Sequence, residues 1–164
     1  MHSTVEKITD SIHTVGKTVD PRKLLQLCQE IQRFQKIAAF GLLKAETAAI
    51  SLQCDLLMQG KQIFTQVSYP QQMEYIQSAT EEDLILIFSC TGSYFDYQDF
   101  RSKKEALRRP RIWMITGVEK EYPPFIDETL TYPACYGQAG HPYQLLTIAS
   151  LIAQEFAEYS RNKG

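Results

Sequence analysis

The chain has 164 residues, of which 44% are hydrophobic and 22% are charged, as in an ordinary globular protein. Its formal net charge is −2, so it lacks the overall basic field that recruits nucleic acid or an acidic membrane surface. No apolar run approaches the roughly 18 residues that span a bilayer, and the N-terminus lacks the apolar core of a signal peptide. We therefore expect no membrane partner.

Two amphipathic helices are predicted within residues 1–35. Ile8, Ile12 and Val15 share one face of the first helix, and Gly16 is predicted to end it. Asp20 followed by Pro21 is a strong start signal for the second helix. The second helix carries one apolar stripe, formed by Leu24, Leu27, Cys28, Ile31 and Phe34.

From residue 36 onward, strand patterns alternate with helix patterns. Strands are predicted at residues 37–40, 62–67, 84–88, 111–116 and 128–132, the last at an edge. Helices are predicted at residues 45–58, 70–78, about 95–107 and 145–159. This alternation predicts an α/β fold, a three-layer αβα sandwich with a mainly parallel sheet of about five strands, doubly wound as in flavodoxin. We expect one domain over residues 1–164, with the α/β core at residues 36–164.

The cysteine and histidine patterns favour a reducing compartment and no metal site. The cysteines lie far apart in apolar or mid-element settings and form no C-x-x-C pair, which predicts free buried thiols in a reducing cytoplasm. The histidines have no cysteine or carboxylate cluster beside them, so a zinc site is not expected. No cofactor motif is present either: the chain has no Walker A loop, no G-x-G-x-x-G after the first strand and no G-x-S-x-G elbow.

The leading candidate site is Ser89-Cys90-Thr91-Gly92-Ser93, directly after the buried strand 84–88. In a doubly wound sheet, ligands bind beyond the carboxyl ends of the strands where the strand order reverses. Hydroxyls and exposed backbone N–H groups there can surround a phosphate without a basic residue. The alternative is a plain turn whose hydroxyls only cap the following helix. A phosphatase nucleophile at Cys90 is rejected, because no arginine follows before Arg101.

These strands and loops resemble those of sugar isomerase (SIS) domains. The resemblance rests on Ile37-Ala-Ala-Phe-Gly41, on residues 83–92, on Thr116 at the end of the fourth strand, and on residues 125–130. Its most specific piece is Ser89-x-Thr91-Gly92, similar to the family's S-x-S-G signature. The opening and closing helices make the chain most similar to the effector domain of RpiR-family bacterial transcription regulators.

The resemblance implies a domain that binds a phosphorylated sugar and signals to a helix-turn-helix domain. Contact with DNA would come only through that helix-turn-helix domain, which this chain does not contain. It implies a homodimer, with the first and last helices as contact surfaces. Ser89, Thr91 and Ser93, with Gly92, would bind phosphate oxygens, and Gly41 and Lys44 would form the opposite lip. No catalytic residue is assigned.

The chain also departs from the family pattern at two loops. In the family's G-x-G-x-S loop, Gly41 is kept, but Leu43 replaces the second glycine and Ala45 replaces the serine. After Ser93, Tyr94 stands where the family has threonine. Two alternatives therefore stay open. One is a ketose–aldose phosphate isomerase, for which His141 is a candidate base, and the other is a degenerate SIS domain that acts only in dimerisation.

Overall fold

The structure is a computed structural model that describes residues 3–97 and 108–163. It opens with helix α1, Thr4–Thr18, which begins with a capping box between Ser3 and Glu6. Gly16 does not end α1, as predicted from the sequence, and the helix continues two residues beyond it. A single glycine costs a helix only about 1 kcal/mol relative to alanine, so it is a weak stop signal.

Helix α2, Pro21–Arg33, begins where the sequence predicts. The Asp20 side chain accepts a hydrogen bond from the Arg22 N–H at 2.9 Å, and Pro21 occupies the first turn. The predicted apolar stripe is confirmed, because its four helical members are buried: Leu24, Leu27, Cys28 and Ile31. This buried face fixes α2 against the sheet and the last helix.

The sheet has four parallel strands: β1, Lys36–Gly41; β2, Asp83–Phe88; β3, Arg111–Thr116; and β4, Glu128–Thr131. The strands lie side by side in chain order. In the register, Gly41 pairs with Phe88 and Phe88 pairs with Ile115, so the carboxyl ends of β1, β2 and β3 lie level. β2 is fully buried, as expected of a strand covered on both faces.

Helices cover both faces of the sheet, which confirms the predicted three layers. The remaining helices are α3, Lys44–Met58; α4, Tyr69–Ser78; and α5, Tyr143–Lys163. α1, α2, α3 and α5 share one apolar cluster with one face of the sheet, and α4 packs on the other face. No helix in the described ranges is both long and apolar enough to cross a membrane.

The predicted strand at residues 62–67 is wrong. This segment contacts the sheet through one parallel bridge, in which Phe64 pairs with Ala38 on the side of β1 away from β2. The side chain of Thr65 and the carbonyl of Gln66 instead bond to helix residues, so the segment follows those contacts rather than a ladder. Of the helix predicted at residues 95–107, the described part is a 3₁₀ turn, Tyr94–Tyr97. Residues 98–107 lie outside the described ranges.

Candidate functional site

The candidate site lies where the chain changes direction across the sheet. From β1 the chain passes through α3 to the bridge at Phe64 on one side, and then crosses to β2 on the other side. The point of reversal is therefore the gap between the carboxyl ends of β1 and β2. Because Gly41 pairs with Phe88, the loop after β1 and the loop that begins at Ser89 share this edge.

The second loop, residues 89–93, is a tight turn at the end of β2. The Ser89 N–H donates to the Ile115 carbonyl at 2.9 Å, and the Gly92 N–H donates to the Ser89 carbonyl at 3.1 Å. Gly92 has φ = +71°, a conformation that glycine adopts without strain. Ser89 is buried, Thr91 is exposed and Ser93 is half-buried, and the hydroxyls of Thr91 and Ser93 share a hydrogen bond of 2.6 Å.

Several donors of the second loop have no partner in the part of the chain that the structure describes. Within residues 3–97 and 108–163, the N–H groups of Cys90, Thr91 and Ser93 have no protein acceptor. The Ser93 hydroxyl lies 3.3 Å from the Tyr97 hydroxyl rather than capping a backbone N–H of the turn that follows. Successive unpaired N–H groups beside a left-handed residue are the geometry that binds anions. The arrangement therefore has the donors a phosphate needs.

Tyr122, from the segment after β3, lies directly over Gly92. Its hydroxyl donates to the Val118 carbonyl at 2.7 Å, and a Cβ added at Gly92 would collide with that hydroxyl. Gly92 is thus required for its φ and also for the close approach of Tyr122. Nothing in the local sequence pattern indicated this contact, because the two residues lie on different loops.

The first loop, residues 41–45, keeps a backbone conformation typical of glycine at Leu43, the position where the family pattern has its second glycine. Leu43 has φ = +54° and ψ = −122°, and the Ala45 N–H donates to the Leu42 carbonyl at 3.0 Å. These are the dihedrals of the first central residue of a type II′ turn, which glycine normally occupies. At Gly41 an added Cβ would lie 2.8 Å from the Ala45 carbonyl. The first turn of α3 therefore packs directly on the backbone of Gly41, with no room for a side chain between them.

A buried hydrogen-bond network fixes the first loop from behind. The Gly41 N–H donates to Glu46 Oε2 at 3.0 Å, and its carbonyl accepts from Gln72 Nε2 at 2.9 Å. Thr65 Oγ1 donates to the other Glu46 oxygen at 2.7 Å. The Tyr94 hydroxyl donates to Gln72 Oε1 at 2.7 Å, which connects the network to the second loop. Both backbone groups of Gly41 are thereby engaged within the protein.

Burial sets the protonation behaviour of this network. Burial raises the pKa of Glu46 above its ordinary 4.5, although the hydrogen bonds from Thr65 and Gly41 act in the opposite direction. Burial also raises the pKa of Tyr94. Tyr94, which replaces the threonine of the family pattern, is thus a buried neutral phenol in the network, with 1% of its surface exposed. It does not line the edge of the sheet as a phosphate-binding hydroxyl would.

A third segment, between β4 and α5, lies beside Lys44. Lys44 Nζ donates to Gln138 Oε1 at 3.2 Å. The pKa of His141 is lowered, mainly by burial and to a smaller extent by the positive charge of Lys44. In the described part of the chain, the buried Nδ1 of His141 has no hydrogen-bond partner. The structure therefore brings Lys44 together with this segment. The roles predicted for Lys44 and Gly41 at the ligand stay predictions.

Among residues 3–97 and 108–163, no group of three or more histidine, cysteine or acidic side chains could hold a metal ion. The described cysteines are free, but the predicted burial holds only for Cys28; Cys54 is exposed on the outer side of α3. Burial raises the pKa of the Cys28 thiol to about 12. Among the described residues, no cationic side chain takes part in the hydrogen bonds of the loop that holds Cys90. The donor set of the site is thus N–H groups and hydroxyls.

No protein-family model and no curated protein sequence matches this chain. Several solved structures do. The Vibrio vulnificus NanR protein, complexed with ManNAc-6P, is 14% identical with a TM-score of 0.79, over 97% of this chain and 63% of that one. The sugar isomerase domain of an RpiR transcription factor from Sphaerobacter thermophilus is 13% identical with a TM-score of 0.66, over 97% and 88%. The fold is that of a SIS domain.

A third SIS-like structure, a protein of E. coli CFT073 in complex with a phosphosugar, is 13% identical with a TM-score of 0.78, over 96% of this chain and 88% of that one. Identities this low show a shared fold and leave the function to the residues themselves. The chain spans about 63% of the NanR protein's length. The resemblance read from the sequence is thus confirmed at the level of the fold.

Proposed function

We propose that this chain is a phosphosugar-binding effector domain of an RpiR-type transcription regulator. Ser89, Thr91 and Ser93 bind the phosphate oxygens through hydroxyls and N–H groups, and Gly92 gives the loop its curvature. The single observation that carries the proposal is a set of donors in the second loop: the N–H groups of Cys90, Thr91 and Ser93, which have no acceptor among the described residues, and the hydroxyls of Thr91 and Ser93. That set lies at the reversal point of a SIS fold, where such sheets bind ligands.

The similar structures support the ligand class. NanR was solved with ManNAc-6P, and the E. coli protein was also solved with a phosphosugar. On the opposite lip, Lys44 adds a positive charge, and the first loop keeps its turn through the backbone of Leu43. The loss of the serine at position 45 removes one hydroxyl, so the second loop carries most of the phosphate affinity.

The buried carboxylate of the site supports binding rather than turnover. Glu46 accepts hydrogen bonds from Gly41 and Thr65 and lies within 3.3 Å of Gln72 Nε2, so it is not free to move a proton on a sugar. As a regulator domain, the protein would act in the cytoplasm as a homodimer. It would influence DNA through a helix-turn-helix domain outside this sequence.

A second candidate is a ketose–aldose phosphate isomerase, since proteins of this fold include regulators and isomerases. The observation that favours it is the buried Nδ1 of His141, which has no hydrogen-bond partner among the described residues and belongs to a neutral imidazole that can serve as a general base. This candidate requires turnover of a sugar phosphate that is lost in His141→Asn. The effector-domain proposal requires binding without turnover, and a coupled assay for ketose formation separates the two.

The binding test uses isothermal calorimetry with ManNAc-6P, phosphorylated arabinose, the corresponding unphosphorylated sugars and inorganic phosphate. We expect binding only of phosphorylated ligands. The variant Ser89→Ala/Thr91→Val should weaken it about 100-fold, because two hydrogen bonds to a charged group are lost. The matched control is Ser78→Ala/Thr9→Val, which removes two exposed hydroxyls from α4 and α1. No binding at millimolar ligand, or equal affinity in both variants, contradicts the proposal.

A further inference from the structure

Tyr97 carries a hydroxyl group that lies beside the second loop. Its oxygen is 3.3 Å from the Ser93 hydroxyl, and the Ser93 hydroxyl in turn is 2.6 Å from the hydroxyl of Thr91. The three hydroxyls form a row that begins within the second loop and ends on the 3₁₀ turn that follows it. Thr91 and Ser93 belong to the proposed phosphate site, and Tyr97 extends that site by one further side chain.

The position of Tyr97 is set by a neighbouring aromatic residue rather than by burial in the core. Tyr97 has 64% of its surface exposed, whereas Tyr94 in the same turn has 1%. The Tyr97 ring meets the ring of Tyr69 edge-on, with the two ring centroids 6.3 Å apart. Tyr69 is itself fixed, because its hydroxyl donates to the Tyr94 carbonyl at 2.6 Å. Tyr97 is thus held at the surface, with its hydroxyl beside Ser93.

The number of hydroxyl protons in the row shows what Tyr97 adds. Each hydroxyl has one proton to donate. The Thr91 and Ser93 oxygens share a hydrogen bond of 2.6 Å, which uses one of their two protons, so that pair keeps one proton for an outside acceptor. At 3.3 Å, the contact between Ser93 and Tyr97 is longer than an ordinary O–H···O hydrogen bond. The phenol proton of Tyr97 can therefore turn to a phosphate oxygen at little cost.

Two hydroxyls of the family pattern are missing from this edge of the sheet. Ala45 has no hydroxyl, and the hydroxyl of Tyr94 donates to Gln72 Oε1 inside the protein. Tyr97 lies three residues after Tyr94 and is exposed. A phenol is a more acidic donor than an aliphatic hydroxyl. Tyr97 therefore supplies a donor of suitable chemistry beside a loop that has lost two of them.

Among the described residues, the charged side chains next to the second loop do not favour an anion by themselves. Asp96, directly before Tyr97, is exposed and negative. The segment that covers the loop carries Lys120 between Glu119 and Glu121, and these three side chains are exposed as well. Water screens exposed charges, whereas a hydrogen bond acts at contact distance. Phosphate affinity at this loop therefore depends on the hydrogen-bond donors.

We infer that the Tyr97 hydroxyl donates a hydrogen bond directly to a phosphate oxygen of the ligand, in place of the hydroxyls missing at positions 45 and 94. This inference rests on the proposed function, because it requires the second loop to bind a phosphate. It adds a binding residue that lies outside the signature Ser89-x-Thr91-Gly92. The site thereby takes one donor from the 3₁₀ turn as well as those of the loop.

Isothermal calorimetry on the full chain tests the inference, with ManNAc-6P, phosphorylated arabinose and inorganic phosphate as probes. Tyr97→Phe removes the hydroxyl and keeps the ring, so it should weaken every phosphorylated probe that wild type binds about tenfold. The matched control is Tyr159→Phe, which removes a hydroxyl beside Arg33, at the amino ends of the strands. This control should leave the affinity unchanged. Circular dichroism checks that both variants are folded.

A double-mutant cycle separates a direct bond from an effect through Ser93. Ser93→Ala and Tyr97→Phe should each lower the affinity. If Tyr97 bonds to the phosphate itself, Tyr97→Phe should still cost about tenfold when Ser93 is already alanine. If Tyr97 only positions the Ser93 hydroxyl, Tyr97→Phe has no effect in that background, and the direct bond is overturned.

NMR of wild type with labelled tyrosine rings gives a readout that needs no affinity change in a variant. The Tyr97 ring signal, assigned by its loss in Tyr97→Phe, should shift when a phosphorylated probe binds, and the Tyr159 signal should not. If wild type binds no phosphorylated probe, the proposed function and this inference fail together. If wild type binds but Tyr97→Phe binds equally well, or Tyr159→Phe is weakened as much, only the inference fails. A Tyr97 signal that stays fixed while a probe binds also overturns the inference alone.

Discussion

Leu43 adopts a backbone conformation that suits glycine, so its replacement by glycine should stabilise the protein. The residue has φ = +54° and ψ = −122°, and its side chain is 92% exposed. A branched side chain held at positive φ costs about 1–3 kcal/mol. Leu43→Gly removes that cost and loses almost no burial within the subunit.

The expected gain is smaller than the strain, because glycine also makes the unfolded chain more flexible. That flexibility costs about 0.4–1 kcal/mol, which leaves a net rise in the free energy of unfolding of about 1 kcal/mol. For a chain of this size, 1 kcal/mol corresponds to a rise in Tm of about 2–4 °C.

Urea and thermal denaturation of three proteins measure this effect. Leu43→Ala is the control, because it removes the same leucine contacts as Leu43→Gly but keeps a Cβ at positive φ. Comparing glycine with alanine therefore isolates the effect of the backbone conformation. We expect the glycine variant to be more stable than the alanine variant by about 1 kcal/mol. If alanine is equally or more stable, the turn is not strained at this position.

Three further predictions concern the two loops and the segment before α5. Gly92→Ala should lower the free energy of unfolding by about 1–3 kcal/mol, because it adds strain at positive φ and a collision with Tyr122; adding Tyr122→Phe should restore only part of it. Burial raises the pKa of Glu46, so wild type should gain stability relative to Glu46→Gln as pH falls from about 7 to 4. The pKa of His141 is lowered, so wild type should lose stability relative to His141→Asn as pH falls from about 7 to 5.

Urea titrations at several pH values check all three. Full rescue of Gly92→Ala by the second substitution would show that the left-handed backbone carries no strain. A stability difference between wild type and Glu46→Gln that stays flat with pH would contradict the burial of that carboxyl group. For His141, a difference that grows in favour of wild type at low pH would mean that the imidazole is stabilised as the cation.

The sequence predicted those elements whose signals are local. Asp20 and Pro21 mark the start of α2 because capping acts within one turn, and the unbroken apolar run before Ser89 predicts a buried strand. The error at residues 62–67 has a physical reason. A strand is defined by its partner, and this segment pairs at Phe64 alone while its polar groups bond to Glu46 and Gln72.

The buried hydrogen-bond network behind the candidate site could not be predicted from the sequence. The network joins Glu46, Gln72 and Tyr94, which come from three separate elements, and each bond depends on the finished fold. The sequence showed that Leu43 replaces a glycine, but it could not show that the turn keeps its glycine-type backbone. Those contacts follow from the packing of α3 and α4 on opposite faces of the sheet.

The order of the strands has a consequence for how the protein forms on the ribosome. β1 to β4 lie side by side in chain order, so each strand can add to an edge that has already emerged. α5 emerges last of these elements, yet it packs against α1, α2 and α3. Until it arrives, the part of their apolar surface that α5 covers in the finished fold stays exposed. The nascent chain is therefore most prone to aggregation just before α5 leaves the exit tunnel.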